Sequence, residues 1–496
     1  MRTSGILMPI FSLPSPYGIG TLGRHAYHFV DFLEKAGQHY WQVLPLGPTT
    51  YGDSPYQSFS SYAGNPYFID PETLIADGLL TAEEVAAYDF GCDPAAVDYG
   101  KLYENRLPML RLAFKRFSPD TDYNRFCTDN AGWLEDYALF MALKNAHNGS
   151  SWAEWDDSLR LRDPAALAAA RETYADDIAL YHFIQYQFTV QWTALKAYAN
   201  AHGVHIIGDI PIYVAYDSAD VWAEPSQFLL DKRARPELVA GVPPDAFSKD
   251  GQLWGNPLYN WPAMKKDGYT WWKRRLQHAL TLYDVVRIDH FRGFESFFAI
   301  PAEDETAKNG RWIKGPGATL FKELKRAFGE LPIIAEDLGF LTPAVYKMLA
   351  ATGFPGMKVL QFAFDSREEN DYLPHNYNRN CVVYTGTHDN DTILGWTQTA
   401  APADVEQARR YLHVDENEGF NWAMMRAALM SVADTAILMM PDLVGLGSEA
   451  RINTPSTLGG NWQWRIAENC INDWLAGIVR EYTALYGRLP TNSEED

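Results

Sequence analysis

Asp284-Val285-Val286-Arg287-Ile288-Asp289-His290-Phe291-Arg292-Gly293 is the stretch on which the fold turns. Val285, Val286 and Ile288 form a short apolar run of β-branched residues, which reads as a buried strand of a parallel sheet. Arg287 and Asp289 lie two residues apart, so both side chains leave the same face of that strand. A buried face that carries a cation and an anion needs a partner or a task, because desolvating each is costly. Gly293 marks the turn that follows. The stretch reads as a catalytic Asp at a strand's carboxyl end, kept ionised by an Arg. A structural ion pair in a core fits the same residues.

The same apolar pattern recurs on either side. Residues 5–10 form one such run; Ala26, Phe29, Val30 and Leu33 then repeat at helical spacing until Gly37 stops them, and 40–46 is a second strand. Further strands are expected at 204–214, 331–339, 357–364, 381–389 and 435–441, with the opening stretch as the fourth. Helical segments fall around 271–282, 318–328, 342–351 and 403–430. A last helix runs through Leu475, Ile478, Val479, Tyr482 and Leu485 to Gly487. Eight apolar strands separated by helices predict an α/β chain folded as a (β/α)8 TIM barrel, with 1–496 as one catalytic barrel. A doubly wound sheet is the runner-up, although no Gly-x-Gly-x-x-Gly follows the first strand.

Two insertions interrupt the alternation. Residues 49–179 read as an inserted loop and helical subdomain. Its loop, 49–70, mixes tyrosines with turn formers; its Ala-rich remainder includes a capping box at Thr81–Glu84 and one helix over 165–179. Residues 215–270 read as a substrate-groove loop subdomain. Its Gly- and Pro-dense stretches, 241–245 and 251–257, suggest ordered surface loops. After the eighth strand only the last helix and a loose tail after Arg488 are expected.

The chain has 496 residues, with 63 acidic against 42 basic side chains and a formal net charge of -21. Such a surface repels nucleic acid and anionic membranes. Cys92, Cys127, Cys381 and Cys470 are far apart, so they read as free thiols rather than a disulfide framework or a zinc site. No leader segment and no run of about 18 apolar residues is evident, which points to a cytoplasmic protein. The 16 Trp residues are numerous enough that some are expected in loops, where flat rings stack on sugar faces.

Four of the predicted strands end in an acid: Asp209, Asp289, Glu336 and Asp389. In a barrel all strand carboxyl ends open on one face, so the four converge. Crowded like charges push one pKa upward. Glu336 follows Ile333, Ile334 and Ala335 and suits a desolvated general acid; Asp289, beside Arg287, suits an ionised nucleophile. One ionised and one protonated carboxyl is what retaining glycosidic cleavage needs, at a separation of about 5–5.5 Å. Converging carboxylates also bind Mg²⁺ or Mn²⁺. Arg287, His388 and the nearby aromatics favour a sugar, but a metal-dependent barrel enzyme and a glycan-binding protein with idle machinery remain alternatives.

With these residues in view, the chain resembles the amylomaltases, the 4-α-glucanotransferases or disproportionating enzymes of the α-amylase superfamily. The resemblance rests on Gly208-Asp209-Ile210-Pro211-Ile212-Tyr213-Val214, Arg287-Ile288-Asp289-His290-Phe291-Arg292-Gly293, Ala335-Glu336-Asp337-Leu338-Gly339 and Thr387-His388-Asp389-Asn390. Tyr51-Gly52-Asp53-Ser54-Pro55-Tyr56-Gln57, Trp254-Gly255-Asn256-Pro257 and Asn461-Trp462-Gln463-Trp464-Arg465 extend it over nearly the whole chain. It implies Asp289 as nucleophile, Glu336 as acid/base and Asp389 as the third carboxylate. It implies that Arg287 and His388 assist at the cleaved glucose, that Asp209 lies beside it, and that Tyr56, Trp254 and Asn461 belong to loops that line or cover the glucan groove. It implies no separate carboxy-terminal β domain, and neither a cofactor nor a metal is expected. The expected partners are a maltooligosaccharide or α-1,4-glucan donor and a glucose or oligosaccharide acceptor, with an α-1,4-glucan hydrolase as the alternative activity. Oligomeric state is not legible.

Overall fold

The structure, a computed structural model, describes residues 2–50, 52–244, 249–339, 341–368, 370–415 and 417–490. Tyr51 and Asp245, both in stretches quoted above, and most of the tail after Arg488 lie outside the described residues.

The described residues form twelve strands: β1 (Thr3–Leu7), β2 (Tyr40–Gln42), β3 (His205–Pro211), β4 (Leu238–Val242), β5 (Gln252–Pro257), β6 (Val285–Asp289), β7 (Ser296–Pro301), β8 (Arg311–Lys314), β9 (Ile333–Ala335), β10 (Gly356–Val359), β11 (Cys381–Tyr384) and β12 (Thr435–Met439). Eight of them form one sheet in the order β10-β11-β12-β1-β2-β3-β6-β9, parallel throughout. Its two ends meet. The Ala335 N–H donates to the Pro355 carbonyl at 2.9 Å, and the Asp337 carboxylate accepts the Met357 N–H at 2.6 Å. Side chains cross the enclosed space: Arg287 Nε of β6 lies 3.4 Å from Met357 Sδ of β10, and the Tyr384 hydroxyl of β11 donates to Gln42 of β2 at 2.9 Å. Neither pair is on adjacent strands, so both side chains point into a barrel whose interior is filled. This is the expected (β/α)8 barrel.

The helices pack their apolar stripes on the outside of the sheet. Ala318–Phe328 buries Leu320, Phe321 and Leu324, and Asp473–Leu485 buries Leu475, Ala476 and Val479. The predicted capping box forms, with Thr81 and Glu84 each accepting the other's backbone N–H. At the amino-terminal end of the barrel the fully buried Arg488 donates to five carbonyls, those of Thr3, Leu429, Ser431, Ala433 and Asp434. No strand follows β12 among the described residues.

Several local expectations are corrected. The strands are shorter than their apolar runs. The run at 204–214 yields His205–Pro211, and that at 357–364 yields Gly356–Val359 followed by a 3-10 turn. Apolarity marks burial, and the loops leaving this sheet remain buried after the ladder ends. The single helix expected over 165–179 is two, Pro164–Thr173 and Ala175–Ala201, parted at Tyr174. The segment at 403–430 is likewise two, Pro402–Leu412 and Phe420–Met430, the first closed by His413 in the left-handed region at φ 50°. Residues 252–257 are not surface loop but β5, joined with β4, β7 and β8 in an antiparallel sheet. Gly255 at φ 76° and a register shift in the β4–β5 ladder hide this strand from its composition.

Candidate active site

The register of β3 on β6 sets Asp209 beside Arg287 and Pro211 beside Asp289. Arg287 then forms a fork: its Nη1 meets Asp209 Oδ2 at 2.5 Å and its Nη2 meets Asp289 Oδ1 at 2.9 Å. Asp209 is wholly buried, whereas the Asp289 side chain keeps 31% exposure toward the mouth. The pairing of β6 with β9 continues one rung beyond the ladder. Glu336 N–H donates to Ile288 O at 3.1 Å, and Phe291 N–H donates to Glu336 O at 3.0 Å. Between those contacts His290 adopts the left-handed conformation, φ 52°. The turn aims the His290 N–H at Glu336 Oε2, 2.6 Å away, while Leu338 N–H donates to Oε1 at 2.8 Å.

Burial pushes the Asp289 carboxyl up to about 8; Arg287 opposes the rise, and Glu336, Asp209 and Asp389 add to it. Burial also raises Glu336, against Arg287 and its two backbone donors. The sequence-based contrast between one charged and one protonated carboxyl is therefore narrowed. Arg287 favours charge on Asp289, but two N–H donors favour charge on Glu336 as well. Burial raises both carboxyls, and the charge of Glu336 adds to the rise at Asp289.

Asp389 and His388 come from the loop after β11. Asp389 lies beyond the strand rather than at its end, where the sequence places it. His388 Nε2 is 3.4 Å from Asp389 Oδ1, and burial lowers the pKa of its ring. The Tyr56 ring stacks on His388 at 5.0 Å and 16°, and its hydroxyl donates to Asp209 Oδ2 at 2.8 Å. A 49–70 loop residue is thus tied to both β3 and the β11 loop. Trp254 stands edge-on to His290 at 4.8 Å, on the β5 side of the mouth.

Asn461 hydrogen-bonds within its own loop. Its amide nitrogen donates to Thr457, and its oxygen accepts the Thr454 N–H at 2.9 Å, so it shapes its own loop. The next residue does reach the site: Trp462 lies 5.8 Å from the Tyr56 ring and 5.9 Å from His388. Asn453 was also not anticipated, although its Nδ2 donates to Asp389 Oδ1 at 2.6 Å. Trp462 sits in a quoted motif, so its signal was present; nothing local in the sequence marks Asn453 or the His290 amide. Among the described residues no three His, Cys, Asp or Glu side chains are grouped so as to hold a metal ion. The acids are instead bridged by Arg287 and backbone amides. Two carboxyls of raised pKa at neighbouring strand ends, walled by aromatic rings, can perform acid-assisted nucleophilic displacement at a sugar.

The profile of the 4-alpha-glucanotransferase family matches residues 8–470. A 4-alpha-glucanotransferase from Clostridium butyricum is 49% identical over 485 residues, covering 97% of this chain and 100% of that one. Another from Thermus thermophilus is 52% identical over 478 residues, covering 94% and 95%. The solved structure of the amylomaltase from Streptococcus agalactiae in complex with acarbose superposes with a TM-score of 0.96 at 42% identity, covering 99% of this chain and 100% of that one.

Proposed function

The chain belongs to the 4-alpha-glucanotransferase family, and from that premise we propose that Asp289 and Glu336 carry its transfer reaction, with Asp389 as the third carboxylate. The enzyme is a 4-alpha-glucanotransferase of the amylomaltase type, acting on α-1,4-glucans. The observation that carries the assignment is the short link from His290 N–H to Glu336, which seats Glu336 against the residue following Asp289.

In this reading a maltooligosaccharide donor binds across the mouth. Asp289 attacks its anomeric carbon while Glu336 gives its proton to the glycosidic oxygen. The bond to the reducing-end piece breaks, and that piece leaves as an alcohol. Glu336, now a carboxylate, takes the proton from the 4-hydroxyl of a glucose or oligosaccharide acceptor. That oxygen displaces Asp289, the α-1,4 bond is rebuilt with retention, and the original proton inventory is restored. Arg287 keeps Asp289 able to leave as an anion, and Asp209 anchors Arg287 from below. The stacked Tyr56 and His388, with Trp462 tilted against both, offer an apolar wall that orients a sugar and limits water. Trp254, edge-on to His290, lines the groove as well. Asn461 lies on the loop that presents Trp462 and, with it, helps line or cover the groove.

The two insertions, 49–179 and 215–270, are proposed as subdomains that shape the groove, since Tyr56 and Trp254 come from them. A cytoplasmic site is supported by four unpaired cysteines. Among the described residues no helix is long and apolar enough to cross a membrane. Incubation with maltotriose tests the donor and acceptor roles. Transfer yields longer oligomers and glucose with no net gain in reducing ends; hydrolysis raises reducing ends in step with product.

A further inference from the structure

The loop that carries His388 and Asp389 begins at Thr385, directly after β11, and ends at the helix Ile393–Thr399. Asp442 holds both of its ends. Its Oδ2 accepts the Thr385 hydroxyl at 3.1 Å and its Oδ1 accepts the Ile393 N–H at 2.7 Å. Asp442 follows β12 by three residues, in the short helix Met440–Val444, and its own carbonyl is fixed by Asn421 Nδ2 at 2.9 Å.

Asp442 is 1% exposed, and no ion pair forms with it among the described residues. Burial pushes it up to about 7, against the two hydrogen bonds it accepts. Neither the transfer chemistry nor the substrate groove uses this carboxyl. A buried acid without a cation is costly to keep, so its presence asks for a function.

The same segment grips the loop at further points. Ser448 Oγ donates to Asp391 Oδ2 at 2.7 Å, Asn453 N–H donates to His388 O at 3.0 Å, and Arg451 donates to Asp389 O at 2.9 Å. The fit is close: a Cβ added to Gly395 would overlap both the Asp391 carboxylate and the Ser448 hydroxyl. The loop is thus splinted from behind by residues 442–453, with Asp442 the buried fixture.

We infer that Asp442 is a positioning residue for the transfer reaction: by tying both ends of the 385–393 loop to the segment after β12, it sets where Asp389 and His388 stand relative to the cleaved sugar. This inference rests on the proposed role of Asp389. Asp442 touches no sugar in this arrangement; it acts through Thr385 and Ile393. What its site requires is an acceptor for Ile393 N–H and a hydrogen-bond partner for the Thr385 hydroxyl. A neutral amide supplies both, because the Thr hydroxyl also accepts.

The test compares Asp442→Asn, Asp442→Ala, Thr385→Val and Asp389→Asn, with kcat and KM measured on maltotriose and thermal midpoints measured alongside. Asp442→Asn is expected to stay within about threefold of wild type in kcat, because both tethers survive. Asp442→Ala is expected to lose about 10- to 100-fold in kcat with KM little changed, as displaced catalytic groups do. Thr385→Val, which cuts one tether and leaves Asp442 in place, is expected to fall between them. It also stands in for Asp442→Ala should that variant not fold. Folded Asp442→Ala or Thr385→Val with wild-type kcat and only a lowered midpoint would overturn the inference. So would Asp442→Asn falling as far as Asp442→Ala. An active Asp389→Asn would instead remove the role on which the inference stands.

Discussion

The His290 N–H donates to Glu336 Oε2 at 2.6 Å, so the residue after one catalytic carboxylate physically holds the other. The contact exists because His290 turns into the left-handed region at φ 52°, reversing the chain where β6 ends. His290 stays neutral: burial, with a contribution from Arg292, lowers its pKa to about 3. Its service to Glu336 is therefore made by the backbone. His290→Asn, which keeps the amide and tolerates this conformation, is expected to retain kcat within about tenfold of wild type. Steady-state kinetics on maltotriose checks this; a loss as severe as that of Glu336→Gln would place the role on the imidazole instead.

Arg287 grips Asp209 and Asp289 with two different nitrogens. Lysine places one ammonium where a fork is required, so Arg287→Lys is expected to cost about 100-fold or more in kcat/KM. The fork also lowers the pKa of Asp289. A variant without the cation, Arg287→Met, leaves Asp289 with a higher pKa, so its residual activity requires a higher pH. The acid limb of its pH–rate profile should shift to higher pH than that of wild type.

Tyr56 makes two separable contacts, a ring stack on His388 and a hydroxyl bond to Asp209. Tyr56→Phe keeps the first and deletes the second. A hydrogen bond to a charged group is worth about 1.5–3 kcal/mol, which corresponds to about 10- to 100-fold in kcat/KM. Tyr56→Ala removes both and should fall further, with a higher KM. Equal losses in the two variants would mean that the stack contributes nothing.

Asp289 has a folded-state pKa of about 8, above the roughly 3.9 of an exposed Asp. The folded chain therefore binds more protons than the unfolded chain between about pH 4 and pH 8, and stability falls as pH rises through that window. Asp289→Asn removes this share. Its thermal midpoint should exceed that of wild type by more at pH 8 than at pH 5. Asp442, raised to about 7, contributes with the same sign and remains in the variant. A midpoint difference independent of pH would contradict the raised pKa.

Arg488 tests stability apart from chemistry. It is buried at the far end of the barrel and satisfies five carbonyls. Arg488→Met strands those acceptors, at a cost of about 3 kcal/mol or more, while kcat at moderate temperature should be unchanged. Denaturant unfolding followed by activity measurement below the transition separates the two effects.

Much of this architecture was legible because β-branched runs and helical stripes report burial, and eight such runs in alternation fit one barrel. The pairing of Arg287 with Asp289 followed from a spacing of two on one strand. What was not legible was longer in range or finer in detail. The β4–β5–β7–β8 sheet escaped because Gly255 and Pro257 of β5 mask a strand on its edge. Asn453 and Asp442 escaped because their partners lie about 60 residues earlier, which no local period encodes. The charge balance at Glu336 depends on the directions of the His290 and Leu338 N–H groups, and the first of these is set by the left-handed turn at His290. Trp462, next to Asn461, reaches the Tyr56 and His388 rings, which its motif alone did not indicate.

The central claim is that Asp289 bonds to the anomeric carbon while Glu336 manages the proton. Glu336→Gln treated with an α-maltooligosyl fluoride addresses it most directly, because fluoride leaves without acid assistance, whereas the return step lacks its base. Rapid quenching, proteolysis and mass spectrometry should find the glycosyl adduct on the peptide bearing Asp289. Fluoride release with the label on another residue, or with no adduct at all, would contradict the account.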